Sequence, residues 1–238
     1  MEGIIKKMDP NLLTCYESPY PKKRIGRDND GGYIISCLPD VKYDCLLAGG
    51  VADDFSFEED FCKIYPETIC FMFDGTISPL SVGPDINIKF ISKNIGPNDN
   101  KTTTNLKEYI QTYENIFVKM DIEGAEIDWI SSLSSEELDK FTQIVMEFHY
   151  PYSEREIPVF EKLNKTHLLV HFHGNNCCGI RWHNNVIMPN VFECTFVNKR
   201  FLPTPYKLNK QPIPSDLDMT NLNDREEIVL HHPPFYHP

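Results

Sequence analysis

The 238-residue sequence predicts an α/β protein with a mainly parallel, doubly wound sheet. Short apolar runs typical of buried strands alternate with segments whose apolar residues recur at helical intervals. Several of these runs end in a carboxylate beside a glycine, as in VKMDIEGAE at residues 118–126. The helical signal vanishes before the last run. We therefore expect the last two strands to pair antiparallel at an edge of the sheet.

The elements follow in order from these patterns. We expect strands at 43–48, 68–73, 86–95, 116–120, 142–148, 167–172 and 191–198. We expect helices from about residue 56, at 105–113, after Gly124, after Ser134 and at 153–163. Ser56 is the expected N-cap of the first helix, and Ser134 with Glu137 has the spacing of a capping box. Gly124 is expected to allow a tight turn after the central strand.

Three regions are predicted. Residues 1–42 form an N-terminal extension in which Asp30 opens a glycine turn and Tyr33 begins a strand. Residues 43–201 form the α/β domain. Residues 202–238 hold seven prolines without periodicity, so we expect a tail that packs on the domain or is partly disordered.

Composition excludes several classes of partner. A formal net charge of −12 and a pI near 5.1 argue against a broad nucleic-acid or anionic-membrane surface. The N-terminus lacks the apolar region of a secretory signal, and we see no apolar window of membrane-spanning length. The protein is therefore expected to be cytoplasmic, with its eight cysteines reduced. The sequence does not indicate an oligomeric state.

The segment VKMDIEGAEIDWI, residues 118–130, resembles the VKIDVEGAE-type motif of the FkbM-like methyltransferases. The resemblance continues in RIGRDNDGGYII, AGGVADDFSFE, HFHGNN and MPNVFECTFV, and covers roughly residues 20–205. It implies a Rossmann-like class I methyltransferase fold with seven strands, and S-adenosylmethionine as methyl donor. It also implies an acceptor that is often a sugar hydroxyl, and an N-terminal extension that covers the cofactor as a lid.

The glycine turn after the first strand of the α/β domain is compatible with two cofactors, NAD and S-adenosylmethionine. The turn lacks a third glycine and is followed by acids that would repel a pyrophosphate, whereas acids attract the positive methyl donor. Asp74 is placed to accept hydrogen bonds from ribose hydroxyls. The predicted cofactor-binding residues are Gly49, Gly50, Asp53, Ser56, Phe57, Glu58, Asp74, Gly75, Thr76 and Asp121.

Polar residues at the predicted strand ends supply the chemistry. We expect His149 to be the general base, because histidine titrates near neutral pH. Asp121 is expected at the methionine end of the cofactor, and His173 beside the acceptor. The predicted acceptor-binding residues are Asp30, Tyr33, Glu147, Asn175 and Asn176. Asp121, Glu147 and His149 would also suit a Mg²⁺ or Mn²⁺ ion.

The resulting hypothesis is an S-adenosylmethionine-dependent O-methyltransferase acting on a small polar or glycan acceptor. The alternatives are an NAD-dependent sugar oxidoreductase and a non-catalytic binding module of the same fold. Nucleic-acid methylation is disfavoured by the acidic charge.

Overall fold

The structure is a computed structural model that describes residues 8–78 and 87–238. Within these residues the chain forms eleven strands and five α-helices. The strands are β1 Lys22–Ile25, β2 Tyr33–Ser36, β3 Cys45–Gly49, β4 Ile69–Phe73, β5 Ile88–Ile91, β6 Asn94–Ile95, β7 Thr103–Thr104, β8 Ile116–Met120, β9 Phe141–His149, β10 His167–His183 and β11 Val186–Asn198. The helices are α1 Ser56–Ile64, α2 Lys107–Thr112, α3 Glu126–Ser132, α4 Ser135–Asp139 and α5 Ile157–Thr166.

Most of the expected elements are present, with shifted ends. The strand expected at 86–95 is divided into β5 and β6, and its first residue, Ile86, lies outside the described residues, as do residues 1–7 of the N-terminal extension. Among the helices of the described ranges, none combines the length and the apolar content needed to cross a bilayer.

A seven-stranded sheet of order β10-β11-β9-β8-β3-β4-β5 organises the molecule. The pairs β3/β4, β3/β8, β4/β5 and β8/β9 are all parallel. The predicted mainly parallel α/β sheet is therefore confirmed. The carboxyl ends of β3, β4, β8 and β9 consequently meet at one edge, where ligands bind in open sheets of this kind.

The last two strands, β10 and β11, pair antiparallel at an edge of the sheet, as predicted, but the strand that runs against the others is not itself the edge strand. β11 is antiparallel to both neighbours, but it lies between β9 and β10, and β10 forms the edge. α5 connects β9 to β10 as a crossover that keeps these two strands parallel. The chain then reverses at Asn184 and Asn185, which both have positive φ, as in a tight hairpin turn. The returning strand fills the space between β9 and β10.

β10 is also longer than the strand expected at 167–172. It continues to His183 because its backbone pairs with β11 along most of its length. The register shifts between Asn175 and Ile180, where the strand bulges. His173 and Asn175 therefore lie inside a strand and not in a loop at its end.

Two helix starts test the predicted capping residues. Ser134 and Glu137 form the predicted capping box at α4. Ser56 is not an N-cap but the first residue of α1. Its N–H instead donates to Asp54 Oδ1 at 3.1 Å, so the capping carboxylate comes from two residues earlier.

The two faces of the sheet bury separate apolar clusters. Along β3, Leu47 packs into the larger cluster, together with residues of α2 to α5. Its neighbour Leu46 packs into the smaller cluster, together with residues of α1 and the β1–β2 hairpin. This alternation follows from the two-residue period of a strand. The sheet is thus covered on both sides, which explains its nearly continuous apolar runs.

The N-terminal hairpin of β1 and β2 is fixed to the sheet by buried polar contacts. The N–H of Ser36 donates to Gln143 Oε1 at 2.6 Å, and Gln143 Nε2 donates to the Ser36 carbonyl at 3.0 Å. These bonds join the hairpin to β9. They bring two residues towards the carboxyl edge of the sheet. These are Asp30, in the turn before β2, and Tyr33, the first residue of β2.

The C-terminal segment 202–238 packs on the domain along its described length. Phe235 is fully buried, and its ring centre lies 4.4 Å from that of Phe172. Two histidines of β10 bind carboxylates of this segment: His171 Nε2 lies 2.8 Å from Asp218 Oδ1, and His173 Nε2 lies 3.2 Å from Glu227 Oε1. We refer to residues 202–238 as the tail.

The His173 contact also has an electrostatic consequence. Burial lowers the pKa of His173, but the carboxylates of Glu193 and Glu227 outweigh this effect and raise the pKa to about 10. A histidine whose pKa is raised by folding stabilises the folded state fully below its ordinary pKa of about 6.5. That contribution is lost as the pH rises through about 10.

We predict that Glu227→Gln lowers the free energy of unfolding by about 1–2 kcal/mol at pH 7, because it weakens a buried charge-assisted contact. The difference from the wild type should shrink above pH 10, where His173 is neutral in both proteins. Urea denaturation of both proteins at pH 7 and pH 10.5 measures this difference in the free energy of unfolding. The exposed neighbour Glu226→Gln is the matched control. A loss that is equal at both pH values would contradict the ion pair.

Candidate active site

The glycine turn after β3 lies against the end of β8. The N–H of Gly50 donates to the Phe73 carbonyl at 3.1 Å, and the N–H of Asp121 donates to the Gly49 carbonyl at 3.0 Å. Gly50 has φ +71°, and a Cβ there would lie 1.5 Å from the Asp121 carbonyl oxygen. Only glycine permits this approach. The close packing of the glycine turn therefore fixes the position of the Asp121 backbone.

Asp74 follows β4 and is held by its own neighbours. Its Oδ2 accepts the N–H of Ala52 at 3.0 Å, and its Oδ1 accepts the N–H and hydroxyl of Thr76 at 2.7 and 2.6 Å. Burial acts to raise the pKa of Asp74, but these hydrogen bonds outweigh it and hold the pKa below its ordinary value. Asp74 is thus an ionised, oriented carboxylate beside the glycine turn.

A cleft of about 440 Å³ opens beside these groups, and we call it the glycine-turn cleft. Four of the predicted cofactor-binding residues line it, namely Gly50, Asp74, Thr76 and Asp121. Its other walls come from Ala52, Phe73, Asn94, Ile95, Ile122, Glu123 and Ala125. Its volume falls in the usual range for small-molecule sites, about 300–1,000 Å³.

The other predicted cofactor residues do not line this cleft. Gly49 is the buried last residue of β3, Gly75 turns beside Asn94, and Asp53 is exposed. Ser56 and Phe57 lie in α1, where Phe57 belongs to the smaller core cluster.

Glu58 lies beneath the turn and not in the cleft. It is fully buried, and its Oε1 is 4.0 Å from Lys119 Nζ, which donates to the Gly50 carbonyl at 3.2 Å. Burial raises the pKa of Glu58, and Lys119 opposes that shift. This buried pair supports the glycine turn from inside the domain.

His149, the last residue of β9, is oriented by Glu126. The Nδ1 of His149 lies 3.2 Å from Glu126 Oε1, which also accepts the N–H groups of Ile122 and Gly124. A carboxylate only accepts, so Nδ1 carries the hydrogen and donates it. The other ring nitrogen, Nε2, is turned away from Glu126 and is free to contact other groups. Asp121 does not cap α3, because the N-cap position is Ala125.

Three carboxylates surround His149 Nε2. Glu123 Oε2 lies at 3.3 Å, Glu147 Oε2 at 3.5 Å and Asp121 Oδ1 at 3.9 Å. Burial lowers the pKa of His149, but Glu126 and the neighbouring carboxylates outweigh it and raise the pKa above its ordinary value. We call Asp121, Glu123, Glu147 and His149 the His149 cluster.

A second cleft, of about 270 Å³, lies on the other side of Asp121, and we call it the polar cleft. Asp121 and Glu123 line both clefts, so the two meet at these carboxylates. The predicted residues Asp30, Glu147, His149 and Asn175 also line the polar cleft. Its remaining walls are Tyr150, Cys177, Cys178, Val191, Asn221 and Leu222.

Glu147 is the most deeply buried acid of this cleft. Its Oε1 accepts Asn175 Nδ2 at 2.7 Å. Burial is the main cause that raises the pKa of Glu147 well above its ordinary range, and the charges of Asp121 and Glu193 raise it further. Glu193 is its partner in the register of β9 and β11, so two carboxylates lie side by side in the sheet.

Of the predicted catalytic and acceptor-binding residues, three lie outside the walls of both clefts. Tyr33 is buried and donates its hydroxyl to Asp121 Oδ2 at 3.1 Å. Asn176 holds the tail: it accepts the N–H of Leu222 at 2.8 Å and donates to the carbonyls of Leu222 and Arg225. His173 is buried between Glu193 and Glu227 and lines neither of these two clefts.

Sequence reasoning missed Glu123, Glu126 and Asn221. The two glutamates belong to the IEGAE segment. The sequence signal that could have found them is the presence of an acid on each side of the turn residue Gly124. The turn predicted at Gly124 is confirmed by its positive φ of 97°. Asn221 gave no local signal, because it reaches the site through the fold of the tail. Its Nδ2 donates to Glu193 Oε1 at 2.9 Å and to Asp30 Oδ1 at 3.3 Å.

Comparisons with known proteins do not assign a family. No protein-family model matches the chain, and no curated protein matches it. Among solved structures, a chain of the fibrillarin/Nop5p complex matches with 10% sequence identity and a TM-score of 0.36, covering 66% of this chain and 73% of that one. Similarity at this level assigns neither a family nor an activity.

We predict that Gly50→Ala destabilises the protein by more than about 2 kcal/mol, because the methyl group meets backbone at a position with positive φ. Gly124→Ala is the matched control. It has a similar left-handed φ of 97°, but its Cβ meets nothing within 4 Å. Its cost should be only about 1 kcal/mol. Equal losses in urea denaturation would show that the contact with Asp121 does not matter.

Proposed function

We propose that the protein is an S-adenosylmethionine-dependent O-methyltransferase, with a small polar acceptor and a sugar hydroxyl as its preferred class. The observation that carries the proposal is the meeting of two clefts at Asp121 and Glu123. One cleft has the glycine turn and Asp74 for a cofactor, and the other has polar walls for an acceptor. The motif around Asp121 supports the same assignment through its resemblance to FkbM-like methyltransferases.

The glycine turn offers little to a pyrophosphate. A dinucleotide phosphate needs free N–H groups at a helix N-terminus. Here the N–H of Ala52 is bound to Asp74, and that of Ser56 is bound to Asp54. These carboxylates would also repel a phosphate at short range. The arrangement therefore favours a cofactor without phosphate over NAD.

The charge of the site suits the methyl donor. S-adenosylmethionine carries a sulfonium and an ammonium, and both are positive. The shared wall between the clefts consists of acids, Asp121 and Glu123, to which Glu147 adds a third within reach of His149. In the proposed arrangement Asp74 accepts the ribose hydroxyls, and the methionine end extends towards Asp121.

The proposed reaction is an in-line displacement. The acceptor oxygen attacks the methyl carbon, the carbon–sulfur bond breaks, and the sulfur keeps the electron pair as neutral S-adenosylhomocysteine. A carbon–oxygen bond forms, and the hydroxyl proton must leave. The protein contributes by holding both reactants in line and by accepting that proton.

His149 and Glu147 are the two groups of the cluster that can take the hydroxyl proton. The neighbouring carboxylates raise the pKa of His149, and burial raises the pKa of Glu147, so each holds a proton more readily than the free side chain does. Either group is placed to accept the proton of a hydroxyl in the polar cleft. His173, buried against the tail, takes no part in the proposed reaction.

The openness of the cluster favours an enzyme over a binding module. His149 and Asp121 both line the polar cleft, and each carries a polar atom directed at the other. A module that only kept the fold would not need this combination of proton-transferring groups next to a cofactor-sized cleft.

We predict that calorimetry detects binding of S-adenosylmethionine and S-adenosylhomocysteine, and no binding of NAD. Asp74→Asn should weaken S-adenosylmethionine binding by about tenfold or more, since a hydrogen bond to a charged group contributes about 1.5–3 kcal/mol. The exposed Asp40→Asn removes the same charge elsewhere and should leave affinity unchanged. Binding of NAD without binding of the methyl donor would refute the proposed function.

A further inference from the structure

The His149 cluster brings together four side chains of types that bind metal ions. Single ligand atoms of Asp121, Glu123 and His149 all lie within 4.8 Å of one another. Glu147 Oε2 approaches the same nitrogen of His149 at 3.5 Å. We propose that these four residues bind one divalent metal cation where the two clefts meet, with Glu123 as a ligand that the sequence did not indicate.

The orientation of His149 supports a ligand role. Its Nδ1–H donates to Glu126 Oε1, and Glu126 is itself almost fully buried and tied to two backbone N–H groups. A second carboxylate that fixes one ring nitrogen is the usual outer partner of a metal-bound histidine. In the neutral ring this tautomer leaves the Nε2 lone pair towards Asp121, Glu123 and Glu147.

Unsatisfied oxygens supply an independent observation. Asp121 Oδ1 is buried and has no hydrogen-bond partner among the described residues, although Tyr33 satisfies Oδ2 of the same carboxylate. The Glu147 side chain is only 6% exposed, and its Oε2 faces His149 instead of a backbone donor. Buried carboxylate oxygens normally have partners, and a bound cation supplies one to Asp121 Oδ1 while contacting the neighbouring Glu147 Oε2.

The surroundings add no competing positive charge. Of the described residues that line the polar cleft, none is lysine or arginine. Three carboxylates and one imidazole form a ligand set for a hard or borderline divalent ion such as Mn²⁺ or Mg²⁺. Cys177 and Cys178 line the same cleft, but neither belongs to the group of ligand atoms that lie within 4.8 Å of one another. Glu123 is 85% exposed, which leaves a path for entry and room for water ligands.

The role of the cation rests on the proposed function, although its binding does not. A cation between the two clefts would contact an acceptor hydroxyl in the polar cleft and lower its pKa. It would also neutralise the acids on that side while Asp74 remains free for the cofactor.

The test uses the full chain after chelator treatment and dialysis, with Mn²⁺ as the probe. Electron paramagnetic resonance of free Mn²⁺ should show one ion bound per chain, and Mg²⁺ should compete for the same site. Glu123→Gln and His149→Gln should each weaken Mn²⁺ binding at least tenfold. Glu161→Gln, an exposed glutamate on α5, is the matched control and should bind like the wild type.

A second measurement guards against misfolding. Mn²⁺ should raise the midpoint of thermal unfolding in the wild type and in Glu161→Gln, but not in Glu123→Gln, whose exposed side chain can change without loss of packing. Absence of Mn²⁺ binding, or binding that survives both cluster substitutions, would overturn the inference. Calorimetry with S-adenosylmethionine, run in parallel, separates this result from failure of the proposed function.

Discussion

Charge buried between β9, β10 and β11 is the constraint on which much of this molecule depends. Glu147 and Glu193 are register partners on neighbouring strands, and His173 is the partner of Glu193 on the next. Burying such groups without partners is costly, so other elements must supply them. Asn221 and Glu227, both from the tail, do this for Glu193 and His173. The tail is therefore part of the electrostatic balance of the sheet.

The same balance shapes the site. Asn175 satisfies one oxygen of Glu147 and leaves the other directed at His149. The glycine turn determines the position of Asp121 from the opposite side, because Gly50 packs on its carbonyl. Carboxylates from the loop after β8 and from β9 are thus brought to one nitrogen of His149. The methyl-donor proposal and the metal proposal both use this convergence, and both depend on Asp121 and Glu123.

The sequence predicted the fold better than the site. Apolar runs and capping residues located nearly every strand of the parallel part, since burial on both faces leaves a strong local pattern. The end of β10 was misplaced because Gly174 and the following asparagines resemble a turn, whereas cross-strand pairing with β11 continues past them. Strand-end reasoning placed Asp74, Asp121 and His149 at the carboxyl edge of the sheet, where they line the two clefts. It could not find Asn221, whose place depends on contacts made almost two hundred residues away in the chain.

The division of labour between the clefts has an evolutionary consequence. The glycine-turn cleft is built from the parallel strands and their loops, whereas the tail contributes Asn221 and Leu222 only to the polar cleft. Mutations confined to the tail can therefore reshape the polar cleft, the proposed acceptor side, without touching the glycine-turn cleft, the proposed cofactor side. Under the proposed function, a lineage can change its acceptor through its C-terminal segment without rebuilding its core.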